Sequence, residues 1–429
     1  MVSDKPLRVA VVVLGDVGRS PRMQYHARAL ADWGATVDLI GDAGSPLPPA
    51  ISAHPRITCH LLRGAPRAER RRLPRPLFLG AALLRVLAQC WRLLWLQLIA
   101  LPRPDVVLVQ NPPAVPTLVI AWLVARVRGA RLVVDWHNFG YTMLALTVGR
   151  THPAVRLARW YERWAGRRAD GHLCVSRAMQ RELAEHWGIQ AAVLYDRPAA
   201  EFSPTLPGAR VELFRRLAEQ LSLPPPGYRP DAPDRPALIV SSTSWTADED
   251  FDVLLDALVR CDDQLTRRNP DMLVLITGQG PLRAHYEARM AGLALRRIHL
   301  RTVWLSPEDY ARLLGAADLG VCLHRSSSGL DLPMKVADMF GAGLPVCALD
   351  YGPCLAELVR HGENGLVFAT AAQLAEQLCE LFMGFPNDTP LLSRLRRNVM
   401  AQDALRWADS WQAAALPVIA GVPRRFADR

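Results

Sequence analysis

Two series of short, β-branched apolar runs, each alternating with helical stretches, restrict this chain to very few folds. The first series is RVAVVVL (8–14), TVDLI (36–40), ITCHLL (57–62), DVVLVQ (105–110), RLVVDW (131–136), GHLCVS (171–176) and AAVLY (191–195). The second is ALIVSS (237–242), MLVLITG (272–278), IHLRTVWL (298–305), LGVCLH (319–324), LPVCAL (344–349) and GLVF (365–368). Runs this continuous suit strands buried on both faces of a parallel sheet, with segments such as SPRMQYHARALADWG (20–34) covering them as helices. Prolines thicken between the series, from Pro198 to Pro236, as in an interdomain connection. The predicted class is therefore α/β, with two doubly wound parallel-sheet domains facing a cleft. Residues 1–205 form the first, 206–236 the connection with one short helix near 211–221, and 237–395 the second. A helical segment, 396–429, is expected to return toward the first domain. Ligands of such sheets sit off the carboxyl ends of the strands.

Composition narrows the function. The 429 residues exceed one ordinary core, and half are hydrophobic against 21% charged, as in a folded protein. Eight cysteines form no C-x-x-C pair, which reads as buried free thiols and not as a disulfide frame or zinc site. The net charge of +10 points to an anionic partner: a lipid surface, a nucleic acid or a phosphorylated substrate. The opening MVSDKPLRVAVVVLGD runs straight into a strand, so no signal peptide is expected.

The basic excess concentrates in RGAPRAERRRLPRP (63–76), followed at once by LFLGAALLRVLAQCWRLLWLQLIALP (77–102). The second segment is long enough to span a bilayer. However, Arg85, Gln89, Arg92 and Gln97 form a polar stripe, and two mid-helix arginines would each cost roughly 2.5–3.5 kcal/mol in hydrocarbon. A helix lying in a membrane surface fits better, touching it through Arg71, Arg72, Trp91, Leu94, Trp95 and Leu98. The alternative is an internal helix behind a solvated basic loop. Nucleic acid is disfavoured, since the arginines lack interleaved aromatics and no binding motif appears.

Several strand-end loops hold candidate chemistry. GDVGRSPRMQYH (15–26) is neither a dinucleotide fingerprint nor a P-loop, yet Arg19 and Arg22 open its helix and suit a phosphate; the alternative is a plain turn with solvated arginines. SSTSW (241–245) would present Ser242 and Ser244 to the cleft. In WTADEDFDVLLDAL (245–258), Thr246 and Glu249 read as a capping box with Asp248 and Asp250 in the first turn, so no metal is assigned there. In DWHNFG (135–140), His137 is either a general base or structural.

The richest stretch is HRSSSGLDLPMKVADMFGAGLPV (324–346). Only Lys5 and Lys335 are lysines, the other 49 basic residues being arginines, so Lys335 marks a place where a compact point charge is wanted. Pro333 reads as the first residue of a short helix closed by Gly341 and Gly343. Ser326, Ser327, Ser328 and Gly329 then supply a phosphate cradle ahead of it. Lys335 and Asp338 share a helix face, matching a nucleotide diphosphate and its ribose hydroxyls.

VVVLGDVGRSPRMQYHA, LVQNPPAVPTL, VDWHNFGY, LYDRP, VSSTSWTADEDFDVLLDAL, the 324–349 block and HGENGLVF resemble the chitobiosyldiphosphodolichol β-mannosyltransferases, from residue 8 to about 380. The resemblance implies a GT-B fold of two Rossmann-like domains. It also implies mannose transfer from GDP-mannose to GlcNAc₂-diphosphate-dolichol on the cytosolic face of the endoplasmic reticulum membrane, among other mannosyltransferases of the same pathway. Ser326–Gly329, Lys335 and Asp338 become donor-site residues, with Thr277, Gly278, Gln279 and Gly280 nearby. Arg19 and Arg22 become candidates for the acceptor diphosphate. Two departures stand out: many members carry an amino-terminal anchor not expected here, and the paired glutamates of related retaining enzymes fall on Leu330 and Asp338. An inverting transfer is expected, with His137 or Asp16 as base, Lys335 stabilising the leaving diphosphate, and no metal strictly required, though Mg²⁺ could assist. The alternatives are an α-mannosyltransferase or other GDP-sugar transferase acting on a polyprenyl-linked acceptor, and a catalytically silent membrane scaffold.

Overall fold

The computed structural model describes residues 6–63, 87–221, 228–246, 249–401 and 407–421. The chain forms two compact units: Met1–Tyr195 with Ala408–Arg429, and Asp196–Trp407. The first holds a seven-stranded parallel sheet of β1 (Arg8–Asp16), β2 (Thr36–Ala43), β3 (Ile57–Arg63), β4 (Val106–Asn111), β5 (Arg131–Trp136), β6 (Gly171–Cys174) and β7 (Ala192–Val193). Its spatial order is β3-β2-β1-β4-β5-β6-β7. The second unit repeats the plan with β8 (Ala237–Ser242), β9 (Met272–Thr277), β10 (Ile298–Val303), β11 (Leu319–Cys322), β12 (Val346–Leu349) and β13 (Gly365–Phe368), ordered β10-β9-β8-β11-β12-β13. Both are doubly wound Rossmann-like sheets whose order reverses beside the first strand of each series, and the loops at that reversal are where such sheets bind ligands.

Continuous apolar strands produce this burial. Every residue of Val9–Val13 is buried, as is every residue of β8 and β9, and each large aliphatic side chain so hidden is worth about 1.5–3 kcal/mol. The second sheet has an apolar cluster on each face, one around Leu254, Leu258 and Leu378, the other around Leu217, Leu314 and Met339. The proline-rich stretch 206–236 is more than a connection. Its helix, Pro207–Leu221, buries Leu213, Phe214 and Leu217 in that second cluster. The segment 396–429 divides as well: the Pro390–Ala401 helix lies in the second unit, and residues from Ala408 onward lie in the first.

Burial has an electrostatic cost in β6. His172 accepts the Trp136 indole N–H on Nδ1 at 3.2 Å, and burial depresses its pKa to about 4. The unfolded chain, titrating near 6.5, binds the proton more readily. Stability is therefore full above about pH 6.5 and falls as pH drops toward 4, by roughly 3 kcal/mol in all from this group. His172→Gln, which keeps an acceptor for the indole, should flatten urea-unfolding stability between pH 6.5 and 4. An unchanged slope would assign the acid sensitivity elsewhere.

Candidate active site

In the second unit the loops after β8, β9 and β11 meet the amino end of the Met334–Gly341 helix. Past Ser242 the chain turns sharply, and Trp245 is buried with φ of 50°, a left-handed conformation costly for a bulky residue. Its indole N–H donates to the Gly278 carbonyl at 3.2 Å, its amide donates to Thr243 Oγ1 at 2.9 Å, and its ring packs on Phe251. The loop after β9 closes on this turn backbone to backbone. A Cβ on Gly278 would lie 1.7 Å from the Thr243 oxygen, and one on Gly280 would lie 1.8 Å from that of Ser244, so only glycine permits the approach.

Lys335 joins this turn. Its Nζ pairs with Glu249 Oε1 and lies 3.4 Å from Ser244 Oγ. The other Glu249 oxygen accepts the Thr243 hydroxyl and, at 2.6 Å, the Ser244 amide. The expected capping box is therefore not formed. The Phe251–Gln264 helix starts after Asp250 without a side-chain cap bond, Asp250 pairs with Arg325 at 2.6 Å, and Asp248 lies outside the described residues. A carboxylate as buried as Glu249 needs a cation and several donors more than a helix end needs a cap. Ser242 is held by the Tyr310 hydroxyl at 3.0 Å.

The serine loop is knit to itself. Ser326 Oγ donates to Asp331 and accepts the Gly329 amide at 2.8 Å and the Leu330 amide at 3.2 Å; Ser328 Oγ also accepts the latter. Asp331 in turn bonds His324 Nε2 at 3.0 Å. Ser326, Ser327, Ser328 and Gly329 thus precede Lys335 as expected, but donors of the loop bond within it. Pro333 is the cap of the helix and not its first residue. Asp338 lies one turn beyond Lys335 and does not pair with it. The residue keeps some exposed surface, but its carboxyl is enclosed; burial first, then the charges of Asp196 and Glu201, push its pKa well above the usual range. All three influences act in one direction and favour the protonated form of the carboxyl.

In the first unit the centre is Asp135, fully buried in β5. The Pro21–Asp32 helix, laid on the sheet by Met23, Ala27 and Leu30, brings Arg22 and His26 to it from successive turns. Arg22 Nε and Nη2 donate to the two carboxylate oxygens at 2.8 and 2.9 Å, and Nη1 donates to the Leu194 carbonyl at 2.9 Å. Trp411 donates its indole N–H to His26 Nδ1 at 2.9 Å, which leaves the His26 proton on Nε2, 3.0 Å from Asp135. Burial above all holds that imidazole neutral, below its ordinary pKa. His137 Nε2 reaches the same Asp135 oxygen at 2.8 Å. Burial alone would raise the Asp135 pKa; Arg22, His137 and His26 outweigh it and set the carboxyl well below the usual range.

His137 is therefore one half of a carboxylate–imidazole dyad. Asp135 fixes Nε2 as the protonated nitrogen, so Nδ1 is free of its proton and can accept one. The ring's backbone is pinned: its amide donates to the Asn111 carbonyl at 2.8 Å, and flanking Trp136 and Phe139 pack against Trp187 at 5.6 and 4.7 Å between centroids. Glu162, buried below, accepts from the Asn111 side chain and the Gly140 and Tyr141 amides at 2.7, 2.7 and 3.0 Å.

Two expectations for this unit need correction. Arg22 cannot reach an acceptor phosphate, because its guanidinium is buried and committed to Asp135 and Leu194; Arg19 stays exposed. Asp16 is a poor base. It accepts the Gly18 amide at 3.0 Å and the amide and hydroxyl of Ser45 at 2.9 and 2.8 Å. These donors and Arg19 outweigh burial and lower its pKa. Asp135, Glu249 and Asp331 were missed in these roles, although a lone aspartate inside the apolar run RLVVDW was a readable sign of a buried ion pair.

Residues 87–95 form a helix ending in the π-helical turn Leu96–Ala100. Its polar Gln97 faces inward, while Leu87, Trp91, Trp95 and Ile99, spaced by four, are exposed; Leu94 and Leu98 are half-buried. Arg71 and Arg72 lie outside the described residues. Among the described residues no helix is long and apolar enough to cross a membrane, and no group of three or more His, Cys, Asp or Glu side chains is placed to hold a metal ion.

Residues 18–195 match the glycosyl transferase 4-like domain, and residues 235–383 match glycosyl transferases group 1. The chain is 44% identical to mouse (Mus musculus) chitobiosyldiphosphodolichol beta-mannosyltransferase, covering 96% of this chain and 89% of the relative. It is 42% identical to the human (Homo sapiens) protein of that name over 96% and 92%, and 45% identical to Arabidopsis thaliana UDP-glycosyltransferase TURAN over 98% and 99%. Among solved structures, WaaG, a glycosyltransferase involved in lipopolysaccharide biosynthesis, superposes with a TM-score of 0.62 at 16% identity over 96% of this chain and all of its own. The fold is GT-B, and this chain is a glycosyltransferase belonging to the chitobiosyldiphosphodolichol beta-mannosyltransferase family.

Proposed function

We propose that the protein transfers mannose from GDP-mannose to O4 of the terminal sugar of GlcNAc₂-diphosphate-dolichol, with inversion, forming a β1,4 linkage. The observation that carries this reading is the Lys335–Glu249 pair at the amino end of a helix, in a chain similar throughout to β-mannosyltransferases. The donor is an α-glycoside, so one displacement gives the β product. The acceptor hydroxyl attacks the anomeric carbon while His137 Nδ1 takes its proton, and the sugar–phosphate bond breaks with its electron pair going to the diphosphate. Lys335 and the helix amino end stabilise that growing charge. Asp338 hydrogen-bonds a hydroxyl of the donor, the serine loop exchanges its internal bonds for phosphate oxygens, and Arg19 remains the candidate for the acceptor diphosphate. No step requires a resident metal, although Mg²⁺ could accompany the nucleotide.

The test combines purified protein with labelled GDP-mannose and a GlcNAc₂-diphosphate-polyprenyl acceptor, and then challenges the product with linkage-specific mannosidases. Cleavage by β-mannosidase alone is expected; an α-mannosidase-labile product would overturn inversion. One similar protein is named a UDP-glycosyltransferase, so UDP-sugars belong in the same assay, and preferential transfer from them would overturn the donor.

The protein is further proposed to work at the cytosolic face of the endoplasmic reticulum membrane, alongside other mannosyltransferases and without nucleic acid. Exposed Trp91, Trp95 and Ile99 are suited to the interfacial zone. Replacing all three by serine should abolish flotation with anionic liposomes without lowering the melting temperature, since none supports the core. Unchanged flotation of the folded variant would reject this surface.

A further inference from the structure

The Gly140–Val148 helix, GYTMLALTV, has no charged side chain, yet none of its residues is buried. A helix apolar all round ordinarily lies inside a core or a membrane. Here Met143 and Leu146, one turn apart, are exposed, Leu146 by 61%, and the neighbouring Pro153–Gly166 helix exposes Leu157 and Trp160. Between the two helices and the turn after β4 lies a pocket of about 450 Å³, within the range of small-ligand sites.

Its walls are mainly Pro112, Pro113, Ala114, Met143, Leu144 and Ala158, the prolines offering no N–H, and Gln110 adds one buried, unbonded amide oxygen. Its carboxylate, Glu162, already accepts three hydrogen bonds from the protein. A sugar buried here would leave most of its hydroxyls without partners, whereas a hydrocarbon chain needs none. The surroundings add charge. Arg159 lies 5.7 Å from the ring centroid of Tyr141, which also lines the pocket. Arg150, Arg156 and Arg159 are exposed and make no ion pair among the described residues. An apolar pocket with Arg159 near its Tyr141 wall suits an amphiphile with an anionic head and a hydrocarbon tail. The pocket also adjoins the dyad: Glu162 holds the Asn111 side chain, and the Asn111 carbonyl holds the His137 amide.

We propose that this pocket receives the proximal isoprene units of the acceptor's polyprenyl chain. The proposal rests on the mannosyl-transfer reading in taking the acceptor to be a polyprenyl diphosphate.

Two measurements on the full chain in detergent test it. The first compares kcat/KM for GlcNAc₂-diphosphate acceptors bearing a long polyprenyl chain or a single short prenyl group. Met143→Gln/Leu146→Gln, at exposed positions, should lower the long-to-short ratio by about tenfold or more. A retained ratio overturns the proposal, and so does an equal loss on both acceptors, which would assign the pocket to the sugars. The second measurement needs no turnover. A benzophenone-bearing prenyl diphosphate should label a peptide within 139–166, with protection by unlabelled polyprenyl diphosphate. Labelling without mannosyl transfer would overturn the proposed reaction and keep the pocket, whereas transfer with labelling elsewhere would overturn the pocket alone.

Discussion

Replacing Lys335 by alanine should lower kcat for the proposed mannosyl transfer by about 10²–10³, with a smaller change in GDP-mannose binding. A donor aimed at charge that develops only in the transition state is worth about that much when removed. In the proposed site the ground-state nucleotide would keep its contacts with the serine loop and Asp338, so the loss should fall mainly on kcat. The substitution also strips Glu249 of its cation, and a nearly buried carboxylate left alone destabilises the loop. The Lys335→Ala/Glu249→Gln double variant separates the two effects: it should recover melting temperature and not activity. Steady-state kinetics and thermal denaturation on the same preparations decide the matter. A fully active Lys335→Ala protein would remove the lysine from the donor site.

Asp135→Asn carries the largest expected effect on stability. It leaves the buried Arg22 guanidinium without a counter-charge, a loss of about 3–5 kcal/mol for a broken buried pair. The pH dependence has a definite sign. The folded Asp135 pKa lies far below its unfolded value of about 3.9, so its stabilisation is complete above that value and is lost as pH falls toward the folded pKa. The variant's denaturation curves should lack this acid-dependent loss. Because the variant could fail to fold, His137→Ala isolates the chemistry: kcat should fall by about 10²–10⁴ with the melting temperature nearly kept. A His137→Ala enzyme with normal kcat would exclude His137 as the base.

The strands were legible because their burial on both faces writes an unbroken apolar run, and all thirteen candidate runs contain a strand. Lys335 and its serine loop stood out because a rare lysine opens an apolar helix just after a serine- and glycine-rich loop. Glu249 was not. T-x-x-E before an apolar run is an ordinary cap signature, and only the fold, which sets residue 335 beside residue 249, offers that carboxylate a better partner. Arg22 misled for a related reason. A guanidinium in a first helical turn suits a phosphate, but the pairing that claims it spans 113 positions of sequence, and no local spacing reports that. His137 was visible, but its partner two residues earlier was hidden by its own strand.

The Asp135 cluster has a consequence for how substitutions within it combine. One carboxylate oxygen is shared by Arg22 Nε, His26 Nε2 and His137 Nε2, while the other takes Arg22 Nη2. Removing any one of these donors leaves the remaining ones to crowd closer to a single acceptor. The stability losses of Arg22, His26 and His137 variants should therefore fail to add, each change resetting the worth of the next.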